Sequence, residues 1–380
     1  MAIMVPPSTI VLSSFLSDAV SHGDVPGVVV LVTTPDRVIY HEAFGKMNVA
    51  QGVEMRKDAI FRIASMTKAL TSAGVMMLVE EGRLGLDDEV GKYLPAFRDK
   101  QVISRLDLAA GTYETRPARH AITIRQLLTH TSGIGYSWSD PGLAMIEKLT
   151  GKTSTAELPL VHEPGEKWTY GAGPRVLGEV IEKIAGLGIE VFLKTRIFQP
   201  LGMPDTGYSI AAAKRERVVT QHQHKDGGIT EIPNPETIAG PPRGDGGLLS
   251  TAADYSRFVQ MMLNRGQLGS VRLLKPETVR EMGVNHTGEV KVRLQPSSKP
   301  DFSNPFPLGA GDDVWGLGFQ VATMQRPGSM SWAGIHNTFF RIDSKEELGI
   351  IILMQTLPFY NEAALRVLQG VETRVYEGSL

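Results

Sequence analysis

Short stretches typical of β-strands lie at both ends of this 380-residue chain, and helical patterns fill its middle. The strand-like segments are rich in β-branched residues: Gly27 to Thr33, Val38 to Phe44, Gly316 to Val321, Thr338 to Ile342 and Leu348 to Met354. Isolated strands at the two ends need partners, so this arrangement predicts one sheet built from both termini, with a helical region inserted into it. The predicted fold class is therefore α+β.

Helical spacing of apolar residues marks the remaining elements. The predicted helices are Lys68 to Glu81, Pro174 to Ala185, Glu190 to Ile197, Ala252 to Leu263 with Thr251 as N-cap, and Asn361 to Tyr376. We expect a discontinuous α/β domain of residues 1–80 and 225–380 and a mostly helical domain of residues 81–224. Polar, irregular stretches predict long loops around a site: Pro95 to Arg119, Gln221 to Asp245 and Gly288 to Asp313.

Composition excludes several kinds of protein. The chain has no cysteine, so disulfides, thiolate nucleophiles and cysteine-bound metals are ruled out. A net charge of -2 favours neither nucleic acid nor an anionic membrane as a partner. No apolar run approaches the length of a membrane span. Met1 to Ala19 lacks the basic start of a secretory signal and predicts an amphipathic first helix, so we expect a cytoplasmic protein.

Ser65 and Lys68 form the central chemical feature, within Phe61-Arg62-Ile63-Ala64-Ser65-Met66-Thr67-Lys68. Their i, i+3 spacing at a helix start places both side chains on one face. A serine hydroxyl becomes a good nucleophile when a neighbouring base removes its proton, and a buried lysine can be that base. The same spacing also occurs by chance in capped, solvated helices. The apolar character of the following helix favours the catalytic interpretation.

Two further features give this pair possible partners. Tyr170 follows a tight turn before a helix, where it can relay a proton or simply pack as a structural tyrosine. Gly334, in Ser331-Trp332-Ala333-Gly334-Ile335-His336, allows a backbone N–H to approach a ligand closely, although a glycine bulge in a strand is the plainer alternative. His336 beside it either lines a pocket or is structural.

Together, Ser65-Met66-Thr67-Lys68, Tyr170 and Trp332-Ala333-Gly334 resemble the class C β-lactamase and penicillin-binding-protein superfamily, and within it the family VIII carboxylesterases. Three more stretches, in order along the chain, resemble segments of that superfamily: Leu127-Leu128-Thr129-His130-Thr131-Ser132-Gly133-Ile134, Ile197-Phe198-Gln199-Pro200-Leu201-Gly202-Met203 and Gly246-Gly247-Leu248-Leu249-Ser250-Thr251. Because these motifs span most of the chain, chance does not account for the agreement.

The resemblance implies a β-lactamase-like fold, with an antiparallel sheet flanked by helices, a mostly helical lobe and a site in the cleft between them. It also implies roles for individual residues. Ser65 is acylated, and Lys68 and Tyr170 share proton transfer. The backbone N–H groups of Ser65 and Ile335 form the oxyanion hole. No metal or organic cofactor is needed.

Two positions depart from the lactamase pattern. Ala172 stands where that pattern has an asparagine that holds a lactam side chain, and Trp332 replaces the lysine of K-T-G. Losing both polar anchors favours an uncharged ester over an anionic lactam. We therefore expect a serine carboxylesterase for short- to medium-chain esters, whose acylation machinery also allows weak β-lactamase activity. The predicted substrate-binding residues are Trp332, Ala333, Gly334, His336 and Ala172.

Alternatives remain open at this stage. A β-lactamase, a D-amino-acid peptidase or an acyltransferase would use the same Ser65, Lys68 and Tyr170. A non-catalytic binding module would keep the fold without turnover, although the intact site argues against it. His222 and His224 are spaced to share one face of a strand, yet no third ligand stands out, so we expect no metal there. No serine satisfies the G-x-S-x-G of the α/β-hydrolases. The expected partner is a small-molecule ester.

Overall fold

A computed structural model describes residues 7–225, 227–235 and 241–378. The α-helices are α1 Pro7–Ser21, α2 Thr67–Glu80, α3 Ile124–Leu128, α4 Pro141–Thr150, α5 Gly173–Ala185, α6 Ile189–Leu193, α7 Gln199–Leu201, α8 Ala252–Leu263, α9 Pro276–Met282 and α10 Glu362–Glu377. Short 3₁₀ helices span Ala64–Met66, Val90–Lys92, Pro95–Phe97 and Ala212–Arg217, and a π-helical turn spans Lys194–Phe198.

The strands range from two residues in the shortest to 11 residues in the longest. They are β1 Gly27–Thr33, β2 Val38–Asn48, β3 Val53–Glu54, β4 Phe61–Arg62, β5 Gln101–Asp107, β6 Thr112–Pro117, β7 Gln221–Lys225, β8 Gly228–Ile232, β9 Leu249–Ser250, β10 Gln267–Leu268, β11 Val271–Arg272, β12 Val314–Trp315, β13 Gln320–Val321, β14 Met330–Gly334, β15 Thr338–Asp343, β16 Leu348–Leu353 and β17 Thr356–Leu357.

Eight strands form the central antiparallel sheet, in the order β12-β13-β14-β15-β16-β1-β2-β3. The two ends of the chain meet where β1 pairs with β16, with Val30 opposite Ile352. All seven residues of β1 are buried, because α8 packs against β1 and β16 while α1 packs against β1, β2 and α10. The predicted sheet from both termini, flanked by helices, is confirmed.

Several element predictions hold and several are wrong. The helix Ala252–Leu263 is confirmed, and the Thr251 hydroxyl accepts a hydrogen bond from Asp254 N at 3.0 Å as its N-cap. The predicted strand Gly316 to Val321 is mostly wrong, since only Gln320–Val321 pairs. Gly318 has φ +101°, a left-handed conformation that takes the backbone out of an extended path.

Two of the three predicted loops contain hairpins, and residues 226 and 236–240 of the second lie outside the described residues. β5 and β6 fill most of Pro95 to Arg119, and β7 pairs with β8 within Gln221 to Asp245. Gly288 to Asp313 forms no helix or strand, as expected. One apolar core contains residues from both predicted domains, so the boundary between 1–80 with 225–380 and 81–224 stays a prediction. No helix in the described part of the chain is long and apolar enough to cross a membrane.

Candidate active site

Ser65 lies in the short 3₁₀ helix Ala64–Met66, which leads directly into α2. Ala64, the residue before it, has φ +44°, a conformation that costs a non-glycine residue about 1–3 kcal/mol. Such strain persists only where the surrounding structure holds it. Here the turn brings Ser65 to the wall of a pocket rather than into the apolar core.

Lys68 is one helical turn further on and is buried, with 2% of its surface exposed. Its Nζ lies 2.9 Å from Ser65 Oγ and donates to the backbone carbonyl of Asp245 at 2.7 Å. Desolvation lowers the pKa of Lys68 to about 7, with the Asp245 carboxylate opposing this and Arg175 and Arg243 adding to it. An amine with this pKa is partly neutral near pH 7 and can accept the serine proton.

Tyr170 completes the cluster just before α5. Its hydroxyl hydrogen-bonds Ser65 and accepts a hydrogen bond from Trp332 Nε1 at 3.2 Å. Lys68 Nζ lies 4.8 Å from the centre of the Tyr170 ring. Burial raises the pKa of Tyr170 far above its usual value, although its bonds to Ser65 and Trp332 oppose this. Tyr170 is therefore a neutral phenol, suited to passing a proton rather than acting as a standing phenolate.

Strand β14 runs beside this turn, and Gly334 ends it. A Cβ on Gly334 would lie 2.4 Å from the carbonyl oxygen of Ile63, closer than any side chain tolerates. Glycine therefore lets the strand approach the segment that carries Ser65. Ile335 and His336 follow and both line the pocket with Ser65. The oxyanion-hole role of the Ser65 and Ile335 N–H groups stays a prediction that this arrangement allows.

The other predicted substrate-binding residues lie away from the pocket wall. Trp332, Ala333 and Ala172 are buried and are absent from the residues that line the pocket. The Trp332 ring is tilted against the Tyr170 ring at a centroid distance of 4.9 Å and donates its N–H to the Tyr170 hydroxyl. Trp332 also packs edge-to-face against Trp315 at 4.7 Å. Direct contact of these predicted residues with substrate stays a prediction.

Sequence reasoning missed a polar network behind Lys68. Asp245 is buried and its carboxylate accepts hydrogen bonds from Tyr136 Oη at 2.7 Å and Arg175 Nη2 at 3.0 Å. Burial alone would raise the pKa of Asp245, but Lys68 and Arg175 hold it below its usual value. One signal was present, because Asp245 directly precedes the Gly246 to Thr251 motif.

The pocket beside Ser65 has a volume of about 510 Å³. Aromatic and aliphatic side chains form part of its wall, and charged side chains form the rest. That volume falls within the range of small-molecule sites. Its lining includes Arg62, Ala64, Tyr136, Trp138, Arg175, Tyr208, Arg243, Asp245, Leu248, Leu249, Phe302, Ile335 and His336.

Three histidines, His130, His336 and His222, have no contact with the Ser65 hydroxyl among the described hydrogen bonds and differ in their surroundings. His130 Nδ1 accepts the backbone N–H of Gly171 at 3.3 Å. Desolvation lowers the pKa of His336 to about 3, so this pocket residue is neutral. His222 lies on β7 with Nε2 3.5 Å from Glu231, a nearby carboxylate that the sequence did not reveal. Within the described ranges, no group of three or more His, Cys, Asp or Glu residues could hold a metal.

Known proteins place this geometry in context. The model of the beta-lactamase family matches residues 12–372. The chain belongs to the beta-lactamase family. Protein Rv1367c of Mycobacterium tuberculosis is 34% identical over 372 residues, covering 92% of this chain and 90% of that protein.

Other relatives are named as an esterase and as an acyltransferase. Esterase EstB of Burkholderia gladioli is 27% identical over 391 residues, covering 91% of this chain and 90% of that protein. Monacolin J acid methylbutanoyltransferase of Aspergillus terreus is also 27% identical, covering 98% and 95%. The unliganded structure of simvastatin synthase (LovD) from Aspergillus terreus superposes with a TM-score of 0.85 at 24% identity, covering 98% of each chain. The protein thus has the β-lactamase-like α+β fold.

Proposed function

We propose that this beta-lactamase-family protein is a carboxylic-ester hydrolase that works through an acyl-enzyme on Ser65. The observation that carries the proposal is the 2.9 Å separation of Ser65 Oγ and Lys68 Nζ, with a buried lysine whose pKa is about 7. Within the family, the W-A-G of β14 and the alanine at 172 support a place among the family VIII carboxylesterases.

The reaction follows from these positions. Neutral Lys68 takes the Ser65 proton as Oγ bonds to the ester carbonyl carbon, and the carbonyl oxygen becomes an oxyanion. The N–H groups of Ser65 and Ile335 stabilise that oxyanion. The bond to the alcohol then breaks, and the alcohol leaves with the proton that Lys68 returns directly or through Tyr170. Water attacks the acyl-enzyme by the same route, which releases the acid and restores Ser65.

A chain-length series of 4-nitrophenyl esters on the purified protein tests this assignment. We expect Ser65-dependent turnover of short- to medium-chain esters and its loss in Ser65→Ala. A serine-directed phosphonate should label Ser65 covalently, and an unlabelled protein would instead indicate a non-catalytic binding module.

The second candidate is an acyltransferase, favoured by the likeness to the methylbutanoyltransferase over nearly the whole chain. Adding an alcohol or amine acceptor to the ester assay separates the two activities. Transfer that outcompetes water would replace the hydrolase assignment. Turnover of a chromogenic cephalosporin far above that of the ester would favour a β-lactamase. Weak turnover of the cephalosporin would fit the esterase.

A further inference from the structure

The pocket beside Ser65 carries an excess of positive charge. Three guanidinium groups line it, from Arg62, Arg175 and Arg243, against a single carboxylate, Asp245, among the residues that the structure describes. Charged groups in a partly closed site are normally balanced by partners of opposite sign. The question is which of the three arginines lacks such a partner.

Arg175 is balanced. Its Nε and Nη2 donate to the Asp245 carboxylate at 3.3 Å and 3.0 Å, in the two-pronged geometry of an arginine–carboxylate pair. Tyr136 Oη occupies Oδ2 of the same carboxylate at 2.7 Å. Asp245 is thus committed to Arg175 and Tyr136, and little of its acceptor capacity is left for another cation.

Arg243 keeps 45% of its side chain exposed and is only weakly paired among the described residues. Its Nε comes to 3.6 Å from Asp245 Oδ1, beyond hydrogen-bond distance, and its side chain donates no hydrogen bond within the described ranges. The backbone beneath it is held, because Tyr208 Oη donates to the Arg243 carbonyl at 2.7 Å. A Cβ built on Gly246 would lie 3.9 Å from Arg243 Nη2 and 3.8 Å from the carbonyl oxygen of Ala64. The guanidinium and the backbone next to Ser65 therefore both lie close to Gly246, and all of them line the pocket.

Among the described residues, Arg62 has only neutral partners. It donates to Asn234 Oδ1 at 2.7 Å and to the carbonyl of Val219 at 3.2 Å, and no carboxylate of the described residues pairs with it. Desolvation lowers the pKa of Arg62, which shows that the charge is poorly hydrated. A guanidinium in this position gains from an anion that enters the pocket.

The remaining wall is apolar. Tyr136, Trp138, Phe302, Leu248 and Leu249 present rings and aliphatic groups to the same space. A ligand that satisfies both parts of the wall has an apolar body and one anionic group. We propose that the substrate is an ester bearing a carboxylate, and that Arg243 and Arg62 bind this carboxylate.

This inference rests on the proposed ester hydrolysis and names its substrate class. It replaces the expectation of an uncharged ester. That expectation depended on Trp332 and Ala172, neither of which lines the pocket. The loss of the K-T-G lysine removes one cation from β14, whereas Arg243 and Arg62 supply cations from other parts of the chain.

Matched pairs of esters test the proposal. In the first pair, 4-nitrophenyl hydrogen glutarate carries the carboxylate on the acyl side, and 4-nitrophenyl 5-methylhexanoate replaces it with an isopropyl group. In the second, 4-carboxyphenyl butyrate and 4-carbamoylphenyl butyrate place it on the alcohol side. Rates are divided by the hydroxide-catalysed rates. We expect kcat/KM to favour the anionic member of one pair by about tenfold or more.

Variants connect that ratio to the arginines. Arg243→Gln and Arg62→Gln should each lower the anionic-to-neutral ratio by about tenfold. Added salt should lower it in the wild type. Arg105→Gln, on the exposed β5 strand, is the matched control and should leave the ratio unchanged. A wild-type ratio near or below one in both pairs, or a ratio that neither pocket variant alters, overturns the proposal.

The two proposals fail in different ways. Ser65-dependent hydrolysis without preference for the carboxylate leaves the esterase assignment standing and removes this inference. If no ester is hydrolysed, the esterase assignment fails, and calorimetric binding of the first ester pair to Ser65→Ala then tests the anion site alone. Tighter binding of the glutarate ester, lost with Arg243→Gln, supports the site. Equal binding of the two esters contradicts it.

Discussion

Lys68 and Lys100 are both buried, and burial lowers the pKa of Lys68 to about 7 and that of Lys100 to about 8. Each ammonium also lies over an aromatic ring, at 4.8 Å from Tyr170 for Lys68 and 5.6 Å from Phe97 for Lys100. By burial and pKa alone the two sites are alike. They differ in what the ammonium group touches.

Lys100 Nζ donates to the backbone carbonyls of Thr155, Ala156 and Leu158 at 2.6 to 2.9 Å. These bonds use all three protons of the ammonium, so they favour the charged form and tie one loop to β5. Lys68 donates to one carbonyl and faces a serine hydroxyl instead. A buried lysine is therefore a candidate base only when its surroundings leave it a proton to lose and a hydroxyl to deprotonate.

The largest expected difference in activity is between two separate variants, in which either Lys68 or Lys100 is replaced by methionine. We expect Lys68→Met to lower kcat/KM for 4-nitrophenyl butyrate by about a thousandfold or more. Among the residues that the structure describes, Lys68 and the phenol of Tyr170 are the groups in hydrogen-bond contact with Ser65. Lys100→Met, the matched control, should stay within a few-fold of wild type. Activity of Lys68→Met within tenfold of wild type would mean that another group activates Ser65.

Stability should respond in the opposite order. Lys100→Met leaves three carbonyls without their donor, and we expect its free energy of unfolding to fall by about 2–4 kcal/mol. Lys68→Met removes a desolvated amine that bonds one carbonyl, so its stability should stay near that of wild type or rise. Urea unfolding followed by circular dichroism compares them. Equal losses in the two variants would show that both lysines serve mainly as structural ties.

The next prediction concerns the Asp245 carboxylate, a charged group that influences the pKa of Lys68 and has no counterpart among the causes of the Lys100 shift. The Asp245 carboxylate raises the pKa of Lys68 against desolvation, while Arg175 and Arg243 lower it. Asp245→Asn removes the raising influence, so more Lys68 is neutral at a given pH. The acid limb of kcat/KM should move to lower pH by about one unit.

The matched control is Asp87→Asn, an exposed aspartate paired with Arg125. Its acid limb should coincide with that of wild type. An acid limb for Asp245→Asn that is unchanged, or shifted to higher pH, would assign this limb to a group other than Lys68. A purely structural loss would lower the whole profile without moving it.

The sequence predicted the Ser65–Lys68 contact because helical spacing alone brings residues three apart together. Asp245 meets Lys68 across 177 residues of chain. Such a contact depends on how the sheet and helices assemble, and no local pattern encodes it. For the same reason, the sequence did not reveal that Arg243 and Arg62 line one pocket, because that pocket forms only when the chain folds. The sequence-based expectation of an uncharged ester therefore rests on Trp332 and Ala172, whereas the proposal of a carboxylate-bearing ester rests on residues that only the folded chain brings together.

The strands also divide into those that the sequence predicted and those that it missed. β1 and β16 were predictable because both consist mostly of apolar residues that are buried in the sheet. The β5–β6 hairpin was missed because most of its residues are exposed and polar, which leaves little alternation for a period-two pattern to reveal. Periodicity records burial, so a strand with little buried surface leaves almost no trace in the sequence.

The smallest expected effect concerns Tyr170. Its hydroxyl distinguishes the ring beside Lys68 from the Phe97 ring beside Lys100. Trp332→Phe keeps the ring on β14 but removes the N–H that binds Tyr170 Oη at 3.2 Å. The loss of one hydrogen bond is worth about 1 kcal/mol, so kcat should fall about fivefold. Because Trp332 does not line the pocket, KM should change little. A rise in KM at constant kcat would instead support the sequence-based prediction that Trp332 contacts the substrate.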